Sequence, residues 1–158
     1  MGTGNREPHV TPRLRHRAEK SILGWREWVT FPDFGDVRVK AKVDTGARTS
    51  ALHALNINVV QKNGQSLVSF ELRPEQRDDG TAVQCVAPLI ARRSVKSSNG
   101  QTEERLFVSA SICIEGRCWP IELSLTRRDE MGFRMLLGRN AVRGKYLVDP
   151  GRSFVLGK

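Results

Sequence analysis

The sequence predicts an all-β protein, a small closed barrel with one short C-terminal helix. Three observations carry this. Apolar residues alternate with polar ones in several short runs, the period of half-buried strands. Turn residues recur between those runs. No stretch keeps a helical period beyond about two turns, apart from a short candidate after Gly138 through Asn140, Ala141 and Val142. A closed barrel buries one face of each strand and removes exposed edges.

Residues 1–20 are rich in Arg, Pro, Thr and Gly, and Arg13, Arg15, His16, Arg17 and Lys20 form a basic cluster. They lack periodicity and read as a flexible basic arm, through which nucleic acid is a conceivable partner. They also lack the apolar segment of a secretory signal, so the cytoplasm is the expected compartment. A single domain is expected over residues 21–158.

Ile22, Leu23, Trp25, Trp28, Val29 and Phe31 give a strand-like segment that stops at Pro32. Asp33 to Asp36 is a turn. In the next run Val37, Val39, Ala41 and Val43 point one way, and Arg38, Lys40 and Lys42 the other. Ser50 to Leu52 and Leu55 to Val60 suggest further strand, and Asn63-Gly64 is a hairpin turn before Leu67 to Leu72. Residues 74–80 form a charged loop, Ala82 to Ile90 a strand, and Ser97 to Gly100 a turn.

The clearest hairpin runs from Leu106 to Leu125 around Glu115-Gly116. Cys113 then faces Cys118, Ile112 faces Trp119, Ala110 faces Ile121 and Val108 faces Leu123. One face is apolar. Ser109, Ser111, Glu122 and Ser124 form the other. A one-residue slip would scramble both, so the register is well specified.

Composition narrows the classes. A hydrophobic content of 39% and charged content of 27% fit a globular domain. No run approaches the roughly 18 apolar residues of a membrane helix, so no membrane partner is expected. Net charge is +9, from 26 basic and 17 acidic residues. The excess favours acidic partners but does not choose among them.

Two stretches carry chemistry. The run from Val37 delivers Asp44 to a strand end, followed by the small residues Thr45, Gly46 and Ala47, where backbone or substrate can come close. Far downstream, Met135-Leu136-Leu137-Gly138-Arg139-Asn140 is an apolar run ending in Gly and a polar pair. A hydrophobic residue before D-T-G-A, with a later L-L-G-R-N, resembles the retropepsin family of aspartic proteases. The string from Lys42 to His53, K-V-D-T-G-A-R-T-S-A-L-H, is similar to a bacterial retropepsin-like group once labelled ATP-dependent zinc proteases.

The resemblance implies a retropepsin-type barrel. Leu137, Gly138, Arg139 and Asn140 would support the loop carrying Asp44. Aspartic proteolysis needs two carboxyl groups sharing one proton, too close for both to ionise. This chain has one D-T-G, so the resemblance implies a homodimer with one Asp44 from each chain. Thr45 would brace the partner loop and Gly46 would offer its carbonyl to substrate. Association of that group with a glutamate ligase acting on a ribosomal protein implies an acidic, even polyglutamylated, protein tail as substrate.

Two departures stand out. Retroviral members usually have an acid after D-T-G-A, which pairs with the Arg of G-R-N. Here that position is Arg48, so Arg139 needs another acid, and Arg48 becomes a candidate for binding acidic substrate side chains. The second is the flap, for which Ser97 to Gly100 is the best candidate. No cofactor is expected: there is no H-E-x-x-H and no phosphate-binding G-x-x-x-x-G-K-[ST]. Cys85, Cys113 and Cys118 read as reduced thiols or half of a zinc site, and His53 as a structural or rim residue. The competing function is a non-catalytic barrel that grips an acidic tail or ribosomal RNA.

Overall fold

The structure, a computed structural model, describes residues 20–74, 81–96, 99–127 and 132–157. In chain order the strands begin with β1 (Ser21–Gly24), β2 (Arg26–Phe31) and β3 (Val37–Asp44), with a 3₁₀ turn at Pro32–Phe34 between the last two. β4 (Ser50–His53), β5 (Leu55–Lys62), β6 (Gln65–Leu72), β7 (Val83–Lys96), β8 (Thr102–Ile114) and β9 (Arg117–Thr126) follow. The chain ends with β10 (Met135–Gly138), the helix α1 (Arg139–Val142) and β11 (Tyr146–Asp149).

Nine strands form one sheet in the order β2-β3-β10-β4-β9-β8-β7-β6-β5. Thr30 of β2 also pairs with Cys113 of β8, so six of these strands close into a ring. β7, β6 and β5 continue outward from β8. Phe70, Leu72, Cys85 and Ala87 of that extension are buried in the same core as Val29, Val39, Leu52, Ile112, Leu123 and Leu137 of the ring. Phe34 joins the two parts, stacking on Phe31 and meeting Phe70 edge-on, both with ring centroids 5.4 Å apart. The all-β class follows from the inward alternation on strands such as β2 and the C-terminal half of β8.

The β8–β9 hairpin has the predicted register, with Cys113 opposite Cys118, Ile112 opposite Trp119 and Val108 opposite Leu123. Glu115 and Gly116 form its turn with φ of 49° and 76°. Asn63 and Gly64 turn the β5–β6 hairpin with φ of 53° and 74°, the paired left-handed conformation that Asn-Gly favours.

Several expectations change. Cys113 and Cys118 are not free thiols: they form a disulfide across the hairpin tip. Their Cα atoms lie 4.1 Å apart, a spacing that directly opposed strand residues provide. The segment from Ile22 to Phe31 is two strands rather than one. It breaks at Gly24, where an added Cβ would sit 2.4 Å from the carbonyl oxygen of Arg152. β1 instead pairs in parallel with β11, a strand the sequence reading did not anticipate, in a separate two-stranded sheet. Ser124 is buried rather than solvated, because β9 is covered on both edges and Ser124 lies between Phe107 and Ala51. β7 runs on to Lys96. Residues 1–19, which hold nearly all of the expected arm, lie outside the described residues, as do Ser97 and Ser98 of the expected flap tip. Gly100 lies in the connection between β7 and β8.

Candidate active site

β3 ends at Asp44, and the chain turns at once. The carboxylate oxygen Oδ1 of Asp44 accepts from the amides of Gly46 at 3.1 Å and Ala47 at 3.3 Å. An Asp followed by small residues forms this local ring readily, because its short side chain reaches back to amides two and three residues on. Both bonds use the same oxygen. Asp44 itself is half-buried, and Thr45, Gly46 and Arg48 are exposed.

β10 sits behind this turn. It pairs in parallel with β3, placing Leu137 opposite Val43 and Gly138 opposite Asp44. On its other edge β10 runs antiparallel to β4, with Met135 opposite Leu52. The late segment thus lies between the strand entering the loop and the strand leaving it. Four hydrogen bonds lock it there. The amides of Arg139 and Asn140 donate to the carbonyls of Ala47 at 2.8 Å and Arg48 at 3.0 Å. The amide of Gly138 donates to Ser50 Oγ at 2.9 Å. Arg139 Nη1 donates to the carbonyl of Thr45 at 3.2 Å.

Gly138 has a physical reason to be Gly. A Cβ there would lie 2.5 Å from the carbonyl carbon of Thr49 and 2.7 Å from its oxygen, both main-chain atoms that cannot swing aside. Its backbone is extended, so the requirement is space rather than an unusual φ. Helix α1 continues from it, and Trp119 Nε1 donates to the carbonyl of Ala141 at 3.0 Å, tying α1 to β9.

The structure therefore brings together Asp44, Thr45, Ala47, Arg48, Leu137, Gly138, Arg139 and Asn140, drawn from two stretches far apart in the chain. It changes one expected pairing: Arg139 is held by the main-chain carbonyl of Thr45, and among the described residues no carboxylate lies within salt-bridge distance of it. Its guanidinium thus satisfies the loop directly. Ser50 was missed. Its hydroxyl is buried and meets the amide of Gly138, but a single Ser after Thr49 carries no signal in the sequence that would separate it from a surface Ser.

The residues weighed for metal have other partners. Cys113 and Cys118 are bonded to each other. Cys85 is buried in the core, and loss of solvent pushes its thiol up to about 12. His53 is buried at the end of β4. Arg134 Nη1 reaches its Nδ1 at 3.4 Å, and since a guanidinium only donates, Nδ1 accepts and Nε2 carries the proton given to the carbonyl of Arg127 at 3.1 Å. Among the described residues no three His, Cys, Asp or Glu cluster as a metal site. No described helix is long and apolar enough to cross a membrane. A cavity of about 450 Å³ lies elsewhere, between β5 and the β7–β8 hairpin, and contains none of residues 44–48.

An acid-bearing turn at a strand end, backed by a hydrophobic strand and G-R-N on an all-β ring, defines a retropepsin-like protein. Residues 22–158 match the family model described as RimB-like, retropepsin-like aspartic endopeptidase RimB. The chain belongs to this RimB-like family. It is also similar to proteins named "Probable alpha-L-glutamate ligase". One from Shewanella pealeana is 48% identical over 88% of this chain, and one from Desulfotalea psychrophila is 43% identical over 88%. The match covers 30% of each of those proteins, so this chain spans under a third of their length. A crystal structure of a Legionella pneumophila protein of unknown function has a TM-score of 0.71 and 26% identity, covering 86% of this chain and 98% of that one.

Proposed function

We propose that the chain is a homodimeric aspartic endopeptidase in which Asp44 of each protomer meets its counterpart across a two-fold axis. The observation that carries this reading is the Asp44 turn, with Oδ1 held by the amides of Gly46 and Ala47 and backed by the Gly138-Arg139-Asn140 segment. In the dyad, one carboxylate takes a proton from water as the water oxygen attacks the scissile carbonyl carbon. The protonated partner donates to the carbonyl oxygen, giving a tetrahedral diol. Collapse of the diol sends a proton to the amide nitrogen and breaks the C–N bond.

An apolar pair supports association. Ile22 and Leu147 face each other across the β1–β11 sheet, and are 41% and 56% exposed. The glutamate-ligase names of longer relatives support an acidic, glutamylated protein tail as substrate. Arg48, exposed beside the turn, is suited to a substrate carboxylate. The proposed compartment is the cytoplasm, and the Cys113–Cys118 disulfide weighs against it, since such bonds are rare there. A second reading is a non-catalytic barrel module that binds an acidic protein tail or ribosomal RNA, which the net charge of +9 serves equally well.

Asp44→Asn separates the two readings. In the protease reading it lowers cleavage of a Glu-rich peptide by about 10²–10⁴-fold, the usual range for a general acid–base group, with folding unchanged. Analytical ultracentrifugation of wild type should show a dimer. A strictly monomeric species that still cuts would overturn the shared dyad.

A further inference from the structure

The strand that carries Asp44 also carries a row of cations. Side chains alternate along β3, so Arg38, Lys40, Lys42 and Asp44 share one face. Successive members are about 6.6 Å apart along the strand, twice the rise per residue. β2 adds to the same face in antiparallel register: Arg26 lies opposite Lys42, and Trp28 opposite Lys40. Among the described residues none of Arg26, Arg38, Lys40 and Lys42 has a carboxylate within salt-bridge distance.

An aromatic bed holds three of these cations, Arg26, Arg38 and Lys40, in place. Arg38 lies 4.8 Å and Lys40 5.5 Å from the centre of the Trp28 ring. Phe154 stacks on Trp28 at 6.0 Å, and Arg26 lies 4.9 Å from the centre of Phe154. Long cationic side chains normally lose much freedom on binding an anion. Here stacking has already restricted them, so less entropy remains to be lost. The carboxylate nearest in sequence, Glu27, faces the other way. It is buried, and its oxygens accept the amides of Gly24, Val155 and Leu156. At the far end of the row a recess of about 230 Å³ is lined by Trp28, Thr30 and Arg38 together with two acids, Glu27 and Glu115.

We infer that this face of β2 and β3 is a docking track for an extended acidic peptide, with Arg38, Lys40 and Lys42 as successive carboxylate subsites leading to Asp44. An extended peptide repeats its side-chain direction every two residues, as β3 does. Acids at alternate positions therefore meet successive cations without strain. Both edges of β3 are already paired, so the peptide lies across the face and does not add as a strand. The ladder runs along one strand to Asp44, which favours a peptide over nucleic acid. The inference deepens the endopeptidase reading and rests on it only for what happens at Asp44.

The test uses fluorescein-labelled octaglutamate and a neutral octaglutamine control, with anisotropy measured on Asp44→Asn protein so that no cleavage occurs. Adding Arg38→Gln and Lys40→Gln should weaken octaglutamate binding about tenfold and leave octaglutamine unchanged. Lys62→Gln with Lys96→Gln removes the same net charge elsewhere, and should change binding by less than about twofold. The charge-keeping swap of Arg38→Lys with Lys40→Arg should restore most of the affinity. Equal losses in the track and control variants would overturn the inference, leaving only a general charge effect. So would an RNA octamer that binds more tightly than octaglutamate with the same dependence on Arg38 and Lys40. Octaglutamate binding that depends on the track in a protein with no peptidase activity would sustain the track and remove the protease reading. Wild-type cleavage that prefers acidic peptides equally in the track variants would do the reverse.

Discussion

The Asp44 turn and the tip of the β8–β9 hairpin are both sharp reversals, yet they are held by different means. The hairpin tip is local. Its partners lie a few residues apart, its register follows from side-chain faces, and a covalent bond joins Cys113 to Cys118. The Asp44 turn is built from residues 88 and 94 positions apart, and each of its four long-range bonds uses a main-chain group at one end or both. A local hairpin tolerates change because neighbouring pairs restore the register. A loop pinned by distant backbone depends on close approach, so small additions of volume should damage it most.

The largest effect should come from Gly138→Ala. The added Cβ would collide with the main chain of Thr49, which must move and carry the Asp44 turn with it. Overpacking of this kind costs about 2–3 kcal/mol, which is roughly 4–12 °C in Tm for a chain of this size. In the protease reading, displacing Asp44 by about 1 Å costs on the order of 100-fold in rate. Differential scanning calorimetry and peptide cleavage would check both. Gly138→Ala with full activity would break the comparison.

Next comes the hairpin. Cys113→Ser with Cys118→Ser should lower stability by about 2 kcal/mol through loss of a short closed loop, with cleavage unchanged. Thiol titration sharpens this further. Of the three cysteines, only Cys85 is free, and burial pushes its thiol up to about 12. The native protein should show no reactive thiol at pH 8, and the unfolded, unreduced protein should show one. The sign for stability is also set. Between the unfolded value near 9 and the folded value near 12, only the unfolded chain has lost the proton. Stability from this group is therefore whole below about pH 9 and declines above it.

Ser50→Ala is the finer probe of the turn. It removes the acceptor for the Gly138 amide without adding volume. The expected loss is about 1–1.5 kcal/mol, measured by urea unfolding, with a small fall in cleavage. The smallest effect should be at Arg48, which is exposed and supports the turn through its carbonyl alone. Arg48→Ala should lower kcat/KM for Glu-rich peptides about threefold relative to neutral ones, fading as salt rises. Equal losses on both peptides would mean that only its backbone matters.

The amino-acid sequence by itself determined the all-β class, the β8–β9 and β5–β6 hairpins, and the pairing of D-T-G-A with L-L-G-R-N as the stretches to watch. Each is encoded in side-chain period, turn chemistry or a short motif, and all of these are local. It also showed the cations alternating along β3, since a strand period is visible without a partner. The tertiary structure alone decided where β10 sits, that Arg139 bonds a carbonyl rather than an acid, that Ser50 meets Gly138, and that β1 pairs with β11. The physical reason is that main-chain hydrogen bonds and close approaches between distant segments use atoms common to every residue. Such contacts leave no mark in composition or period, and only folding brings them within reach.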